Sequence, residues 1–132
     1  MTAASSDGVV MAAQAPWGTL AAIDLWGCRS DRLTSAELLQ RFVSELVQLV
    51  GMVPHGACHV SRFGNGQLEG YSAMQFIQTS TITVHLDEVE NRAFIDIFSC
   101  KPFDAQCAQC FASDFFGAQS TRVAVIERGG CM

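Results

Sequence analysis

Three residues whose side chains can do nucleophile or acid–base chemistry lie in two neighbouring strand-like segments. Ser80 and His85 belong to the segment that begins at Gln78, and Cys100 ends the segment that begins at Phe94. A hydroxyl or a thiol can attack a carbonyl, and an imidazole can transfer a proton. Because a hairpin would pair the two segments, we expect Ser80, His85 and Cys100 to lie near one another.

The two segments show the period-two alternation that is typical of half-buried strands. In the first segment Ser80, Ile82 and Val84 share one face. In the second segment Ile95, Ile97 and Ser99 share one face. The polar run from Asp87 to Asn91 predicts a hairpin loop longer than two residues. Asp96 alternates with Phe94 and Phe98, which predicts a buried structural acid that needs a partner.

The rest of the chain predicts further strands at 18–26, 57–63, 68–77 and 121–127 and two helices that end at 50 and 116. Thr34 and Glu37 have the spacing of a capping box, so the first helix begins with Thr34 as its N-cap. The side chains assigned to its buried face are Leu38, Leu39, Phe42, Val43, Leu46, Leu49 and Val50. The second helix, 104–116, presents Cys107, Cys110, Phe111, Asp114 and Phe115 at helical spacing.

This order of elements predicts an α+β fold, a two-layer sandwich in which two helices cover one face of a mainly antiparallel sheet. We expect one domain over residues 17–130, preceded by a flexible tail over residues 1–16. The chain has 132 residues, of which 49% are hydrophobic and 16% are charged. Such a short and apolar chain favours self-association, so we expect a homodimer.

Charge and hydropathy argue against two classes of partner. The formal net charge is −5, and the chain has one lysine, Lys101, and no basic cluster that could neutralise phosphates. No apolar run approaches the length that spans a bilayer. We therefore expect no nucleic acid and no membrane as partners. Because the first residues lack the basic start of a secretory signal, we expect a cytoplasmic protein with reduced cysteines.

Six cysteines and three histidines leave a metal site to be considered. Cys107 and Cys110, together with His55, Cys58 and His59, could form a zinc-binding module. However, Cys107 and Cys110 lie one turn apart on an amphipathic helix, where they can simply belong to the core, and a second cysteine pair is missing. We therefore predict no metal.

Several segments together resemble one known family. They are Asp24-Leu25-Trp26-Gly27-Cys28, Gly70-Tyr71-Ser72, Ser80-Thr81-Ile82-Thr83-Val84-His85, Ala93-Phe94-Ile95-Asp96-Ile97-Phe98-Ser99-Cys100 and Arg128-Gly129. In these segments, which extend over about residues 18–129, the chain resembles the bacterial and archaeal class of S-adenosylmethionine decarboxylase. Members of that class are small pyruvoyl enzymes of polyamine synthesis.

The resemblance implies a role for each chemical residue. Ser80 matches the serine that becomes the pyruvoyl cofactor when the chain cleaves itself at the Thr79–Ser80 bond. Ser72 and His85 match a serine and a histidine that assist this cleavage, and Cys100 matches the thiol that returns a proton to the product. The resemblance also implies a homodimer and a small-molecule amine or amino acid as substrate.

The chain departs from the family pattern in the substrate site. In this chain Gly66 and Asp87 occupy the positions of the family's two adenine-stacking rings. Phe63 is therefore the candidate replacement ring, and Glu88 or Glu90 is the candidate replacement for the ribose-binding acid. Losing two rings should weaken nucleoside binding, since each stacked base contributes roughly 1–3 kcal/mol. The substrate is therefore S-adenosylmethionine or another amino acid such as arginine or ornithine. The alternative is a non-processing relative that acts as a binding or regulatory subunit.

Overall fold

The computed structural model describes residues 15–130 and contains one sheet of six strands. The strands are β1 (Gly18–Trp26), β2 (His59–Phe63), β3 (Gly70–Ile77), β4 (Ser80–Asp87), β5 (Arg92–Ser99) and β6 (Ser120–Arg128). Their spatial order is β2-β3-β4-β5-β1-β6, and every neighbouring pair is antiparallel. The tail predicted for residues 1–16 lies outside the described residues except for Ala15 and Pro16.

The helices lie on one face of this sheet and leave the other face open. They are α1 (Ser30–Leu33), α2 (Ala36–Leu49) and α3 (Ala105–Phe116). Strand side chains that alternate toward the helices are fully buried, among them Ile23, Ile82, Ile95 and Ile97. The predicted α+β two-layer sandwich is confirmed. None of the helices in residues 15–130 is long and apolar enough to cross a bilayer.

The first long helix begins one residue later than the capping-box pattern predicts. The short helix α1 occupies the predicted loop, and the hydroxyl of Thr34 donates a hydrogen bond back to the carbonyl of Ser30. Ser35 is therefore the N-cap of α2, and its hydroxyl accepts the N–H of Leu38 at 3.1 Å. Val47 joins the core in place of Leu49, which is exposed.

Helix α3 buries a different stripe from the predicted one. Its N-cap Asp104 and its stop at Gly117, which has φ +62°, agree with the sequence pattern. The buried side chains are Ala108, Ala112, Phe115 and Phe116, whereas Cys107 and Cys110 are exposed. The two small alanines let the helix approach the core closely, and the phenylalanines pack around Phe42 of α2. The prediction that both cysteines belong to the core is wrong.

The connections between strands also differ from the sequence expectation. β2 starts at His59 and β3 at Gly70, each two residues later than predicted. A single 3₁₀ turn at Gly66–Leu68 lies between these strands and accounts for the later start of β3. Asp96 is exposed, because the face of β5 that it shares with Phe94 and Phe98 is the open face of the sheet. The prediction of a buried acid at Asp96 is therefore wrong.

Candidate active site

A tight turn of two residues, Gln78 and Thr79, joins β3 to β4 directly before Ser80. The pairing of Ile77 with Ser80 closes this turn, and Thr79 adopts a left-handed backbone with φ +61°. A β-branched residue rarely adopts this conformation, which costs of order 1–3 kcal/mol. The peptide bond that precedes Ser80 therefore follows a strained residue, although the sequence pattern predicted an ordinary strand from Gln78 onward.

Four residues at this end of the hairpin form what we call the cleavage cluster: Thr79, Ser80, Ser99 and Cys100. The Thr79 hydroxyl oxygen lies 2.7 Å from the thiol sulfur of Cys100. On the helix-covered face, the buried hydroxyl of Ser80 donates a hydrogen bond of 2.9 Å to the buried hydroxyl of Ser99. The cluster thus brings together a nucleophile, a thiol and a strained backbone.

Ser72 and His85 meet at the other end of the hairpin. They are opposite each other in the pairing of β3 with β4, and Ser72 Oγ lies 2.9 Å from His85 Nδ1. Both side chains point to the open face of the sheet, where His85 is exposed and Ser72 is partly buried. A serine hydroxyl against an imidazole nitrogen fixes the ring orientation and suits proton transfer.

The expected meeting of Ser80, His85 and Cys100 is not found within one chain. The contact between the Thr79 hydroxyl and the Cys100 thiol brings Cys100 beside the Thr79–Ser80 bond. His85, however, lies five positions from Ser80 on β4. An odd separation puts two side chains on opposite faces of a strand, and five positions span about 17 Å. The sequence alone implied this result, because Ser80 and His85 are an odd number of residues apart in an alternating strand.

Two cavities open on the same face of the sheet, one at each end of the hairpin. A cavity of about 480 Å³ lies beside Ser72 and His85 and is lined by aromatic and charged side chains that include Phe63, Asp87, Glu90, Arg92 and Phe94. A shallower cavity of about 440 Å³ lies at Thr79 and Ser80, and its walls include Trp17, Phe76 and Phe98. A small molecule can therefore reach Ser72 and His85 at one end and the backbone of the Thr79–Ser80 turn at the other, whereas the Ser80 and Ser99 hydroxyls are buried.

The candidate substrate residues occupy different environments. Phe63 lines the cavity beside Ser72 and His85 and is 60% exposed. Glu88 is held away from that cavity by Arg62, whose guanidinium donates to both carboxylate oxygens at 2.6 and 3.0 Å. Hydrogen bonding from Arg62 lowers the pKa of Glu88, so this carboxylate is ionised and already paired.

Other acids face the same cavity, and the sequence did not single out this arrangement. Asp87 and Glu90 both line the cavity wall, and Arg92 pairs with them at 2.7 and 3.5 Å. The hydrogen bond that Arg92 donates to Asp87 raises the pKa of the guanidinium, so it stays charged. These groups give the cavity fixed charges of both signs.

Ser99 is the residue of the cleavage cluster to which the sequence analysis gave no chemical role. Its position opposite Ser80 in the predicted hairpin was the available signal. Cys107, Cys110 and His59 do not converge on a metal site. Within the described part of the chain, no group of three or more histidine, cysteine or acidic side chains is arranged to hold a metal ion.

Comparison with known proteins was made for both sequence and structure. The family profile described as S-adenosylmethionine decarboxylase matches residues 19–129. S-adenosylmethionine decarboxylase proenzymes from a Geobacillus species and from Anoxybacillus flavithermus are 28% and 27% identical to this chain over 107 residues, which cover 80% of this chain and 82% of each relative.

A solved structure shows the same fold. The crystal structure of the adenosylmethionine decarboxylase from Aquifex aeolicus superposes with a TM-score of 0.76 and 19% identity, covering 89% of this chain and 95% of that one. Because the family profile extends over most of the sequence, from β1 to the end of β6, the chain belongs to the S-adenosylmethionine decarboxylase family.

Proposed function

We propose that this protein is a pyruvoyl-dependent decarboxylase that cleaves itself between Thr79 and Ser80. The observation that carries the proposal is the left-handed backbone of Thr79, with φ +61°, directly before a buried Ser80 hydroxyl. Cleavage would release this strain and divide the chain into fragments 1–79 and 80–132. The relatives' name, proenzyme, is consistent with such processing.

The cleavage cluster has the parts that the first step requires. The Ser80 oxygen attacks the carbonyl carbon of Thr79, an oxygen–carbon bond replaces the carbon–nitrogen bond, and the hydroxyl proton ends on the freed amine. Loss of the α-proton of residue 80 then expels the Thr79 carboxylate. The resulting dehydroalanine takes up water and releases ammonia, which leaves a pyruvoyl group at the start of fragment 80–132.

The residues around Ser80 fit the use of such a group. When formed, a pyruvoyl group supplies a ketone that withdraws electrons from a bound amino acid as carbon dioxide leaves. The cavity at Thr79 and Ser80 gives a substrate access, and Cys100 lies close enough to this bond to hold the proton that the product needs. Because this role requires a free thiol, we place the protein in the reducing cytoplasm.

We infer that Ser72 and His85 act on the Ser80 of a second copy. Within one chain they lie on the other side of β4 from Ser80 and about 17 Å along the strand. If two open faces stack about a two-fold axis that crosses the strands, the Ser72 end of one copy lies over the backbone of the Thr79–Ser80 turn of the other, where it borders the open face, whereas the Ser80 hydroxyl points toward the helices. Exposed Phe76, Met74 and Ile126 supply apolar surface for this homodimer.

The substrate that we propose is S-adenosylmethionine or another amino acid with a primary amine, such as arginine or ornithine, in polyamine synthesis. The family and its relatives support the first. The cavity beside Ser72 and His85 supports the second group, because its wall holds Glu90, an exposed carboxylate whose contact with Arg92 is longer, 3.5 Å, and which can pair with a distal cation. Phe63 is the ring that would contact the rest of the substrate.

Intact-mass measurement tests self-cleavage. Recombinant wild-type protein is expected to give fragments 1–79 and 80–132, the second with a blocked N-terminus, whereas Ser80→Ala stays intact. Intact wild-type protein after prolonged incubation of the folded chain would refute the proposal and favour a non-processing subunit. Incubation of the matured protein with each of the three amino acids, with carbon dioxide release as the measurement, identifies the substrate.

Coexpression of two variants tests the shared site. Neither Ser80→Ala nor His85→Ala is expected to cleave alone. In a mixed dimer, the His85→Ala copy keeps Ser80 and faces the intact His85 of the Ser80→Ala copy. The His85→Ala chain should therefore be cleaved after coexpression. If it stays intact although mixed dimers are isolated by two different tags, the sites do not cross the interface.

A further inference from the structure

We propose that Ser99 is a positioning residue for self-cleavage, which holds the hydroxyl proton of Ser80 away from the bond that Ser80 attacks. This inference rests on the proposed function and adds a residue to it. The described part of the chain buries three polar side chains, Gln75, Ser80 and Ser99. The hydroxyls of Ser80 and Ser99 form a hydrogen bond of 2.9 Å, and the two residues are directly opposite in the pairing of β4 with β5.

The hydroxyl of Ser99 acts as an acceptor in both of its hydrogen bonds. The backbone N–H of Lys101 donates to Ser99 Oγ at 2.9 Å, and Ser80 Oγ donates to the same atom at 2.9 Å. A hydroxyl oxygen has two lone pairs, and in this arrangement the two donors occupy both. Ser80 therefore directs its proton toward Ser99, which leaves the Ser80 lone pairs free for attack.

The location of this pair is difficult to explain by stability alone. Ser80 and Ser99 stand on the helix-covered face, beside Ile82 and Ile97, which are fully buried. Two apolar side chains of similar size would fill that space at little or no cost, since a paired hydroxyl contributes only about 1 kcal/mol net. The hydrogen bond between Ser80 and Ser99 is explained if it orients the nucleophile, because misplacing a reacting atom by 1 Å can slow a reaction about a hundredfold.

Substitutions of equal shape isolate the hydroxyl of Ser99. Ser99→Thr and Ser99→Val add the same branch and differ only in the acceptor oxygen. We expect Ser99→Thr to cleave within about threefold of the wild-type rate and Ser99→Val to cleave about tenfold to a hundredfold more slowly. Ser99→Ala, which adds no bulk, should match Ser99→Val. The rate is followed by intact mass on purified, folded precursor.

A neighbouring variant controls for lost stability. Ile97 precedes Ser99 by two residues on the same face of β5 and is fully buried. Ile97→Val removes one methylene and should lower the free energy of unfolding by about 0.5–1.5 kcal/mol. It leaves both hydroxyls in place, so its cleavage rate should equal that of wild type. A slower Ile97→Val would show that packing alone sets the rate and would overturn the role of Ser99.

Hydroxylamine shows which step Ser99 affects. It attacks the ester that Ser80 forms and converts the end of fragment 1–79 to a hydroxamate. If Ser99 orients the attack, hydroxamate forms more slowly in Ser99→Ala than in wild type. Hydroxamate at the wild-type rate, or equal cleavage by Ser99→Thr and Ser99→Val, overturns the inference while wild-type cleavage leaves the proposed function intact. An intact wild type would instead refute the proposed function itself.

Discussion

At the scale of single residues, Thr79 is held in a conformation that its side chain disfavours. The pairing of Ile77 with Ser80 closes the turn on one side, and the contact with Cys100 holds the Thr79 hydroxyl on the other. These neighbours keep the left-handed backbone in place, although it costs of order 1–3 kcal/mol. Breaking the Thr79–Ser80 bond frees Thr79 from the turn, so the strain assists the cleavage that we propose.

We predict that Thr79→Gly stabilises the precursor and slows its cleavage. Glycine adopts φ +61° without steric cost, so the free energy of unfolding should rise by about 1 kcal/mol. The strain would then no longer assist cleavage, and the rate should fall by up to about tenfold. Urea unfolding of the Ser80→Ala precursor with and without Thr79→Gly measures the first effect, and intact mass measures the second.

Asn91 provides the matched control for this prediction. It has φ +54° in the loop between β4 and β5, away from the cleavage cluster, and asparagine tolerates this conformation better than threonine. Asn91→Gly should therefore change stability less than Thr79→Gly and leave the cleavage rate unaltered. If Thr79→Gly cleaves as fast as wild type, relief of strain contributes nothing to the reaction.

Cys28 gives a second prediction at this scale, on the pH dependence of stability. Burial raises the pKa of its thiol from 9.0 to about 11. The folded state therefore retains the proton where the unfolded state has lost it, so stability falls as the pH rises from about 9 to 11, by about 2–3 kcal/mol. Urea unfolding at about pH 8, 9, 10 and 11 measures this loss of stability.

The alkaline loss should be smaller in Cys28→Ala, because no thiolate then forms in the unfolded chain. This variant also leaves a small gap in the core, so its slope with pH, and not its absolute stability, is the relevant quantity. Cys107→Ala, on the exposed side of α3, should keep the wild-type slope. Equal slopes in wild type and Cys28→Ala would mean that burial of Cys28 does not govern the alkaline behaviour.

At the scale of elements, the sequence predicted what depends on periodic patterns and missed what depends on tertiary contacts. Alternation in β4 and β5 predicted which side chains share a face, such as Ser80 with Ile82 and Ile97 with Ser99, because a half-buried strand needs this pattern. It did not show which face the helices cover, and the exposed Asp96 was expected on a buried face. The turn at Thr79 was missed because threonine does not indicate a left-handed backbone. The exposed cysteines of α3 were missed because Phe42 and the alanines of α3 decide which helix face is buried.

The start of α2 shows how a local motif can be displaced by its neighbour. We predict that Ser35→Ala lowers the free energy of unfolding by about 1 kcal/mol, because it removes the hydroxyl that accepts the N–H of Leu38. Thr34→Ala should cost less, since Thr34 bonds only to the exposed end of α1. Parallel urea unfolding of both variants measures the difference. A larger loss from Thr34→Ala would mean that the predicted capping box is the real one.

At the scale of the whole molecule, the two chemical groups lie too far apart within one chain to act together, which is why we propose a second copy. The cleavage cluster and the Ser72–His85 pair are at opposite ends of one hairpin, and both cavities open on the uncovered face of the sheet. The sequence showed the chemical side chains of this site and the strand alternation that separates them. No pattern within one chain, however, shows how a second chain is placed. The family resemblance supplied the homodimer as an expectation, and the separation of the two groups within one chain supports our proposal that a second copy completes the site.

We predict that Ile126→Asp separates the homodimer and stops cleavage without unfolding the chain. Ile126 is 49% exposed on the open face of β6 and lies outside both cavities. In a two-fold dimer each substitution occurs twice, so two unpaired carboxylates would be buried, and the dissociation constant should rise at least about a hundredfold. Sedimentation at micromolar concentration and intact mass of the same sample measure the two effects.

Leu49→Asp separates loss of the dimer from the general effect of a new surface charge. Leu49 has a similar exposure, 43%, but belongs to α2 on the opposite face of the molecule. Its substitution adds the same charge, so it should leave both the dimer and the cleavage rate unchanged. A monomeric Ile126→Asp that cleaves at the wild-type rate would show that Ser80 needs no partner, and Ser72 and His85 would then have no part in the cleavage step.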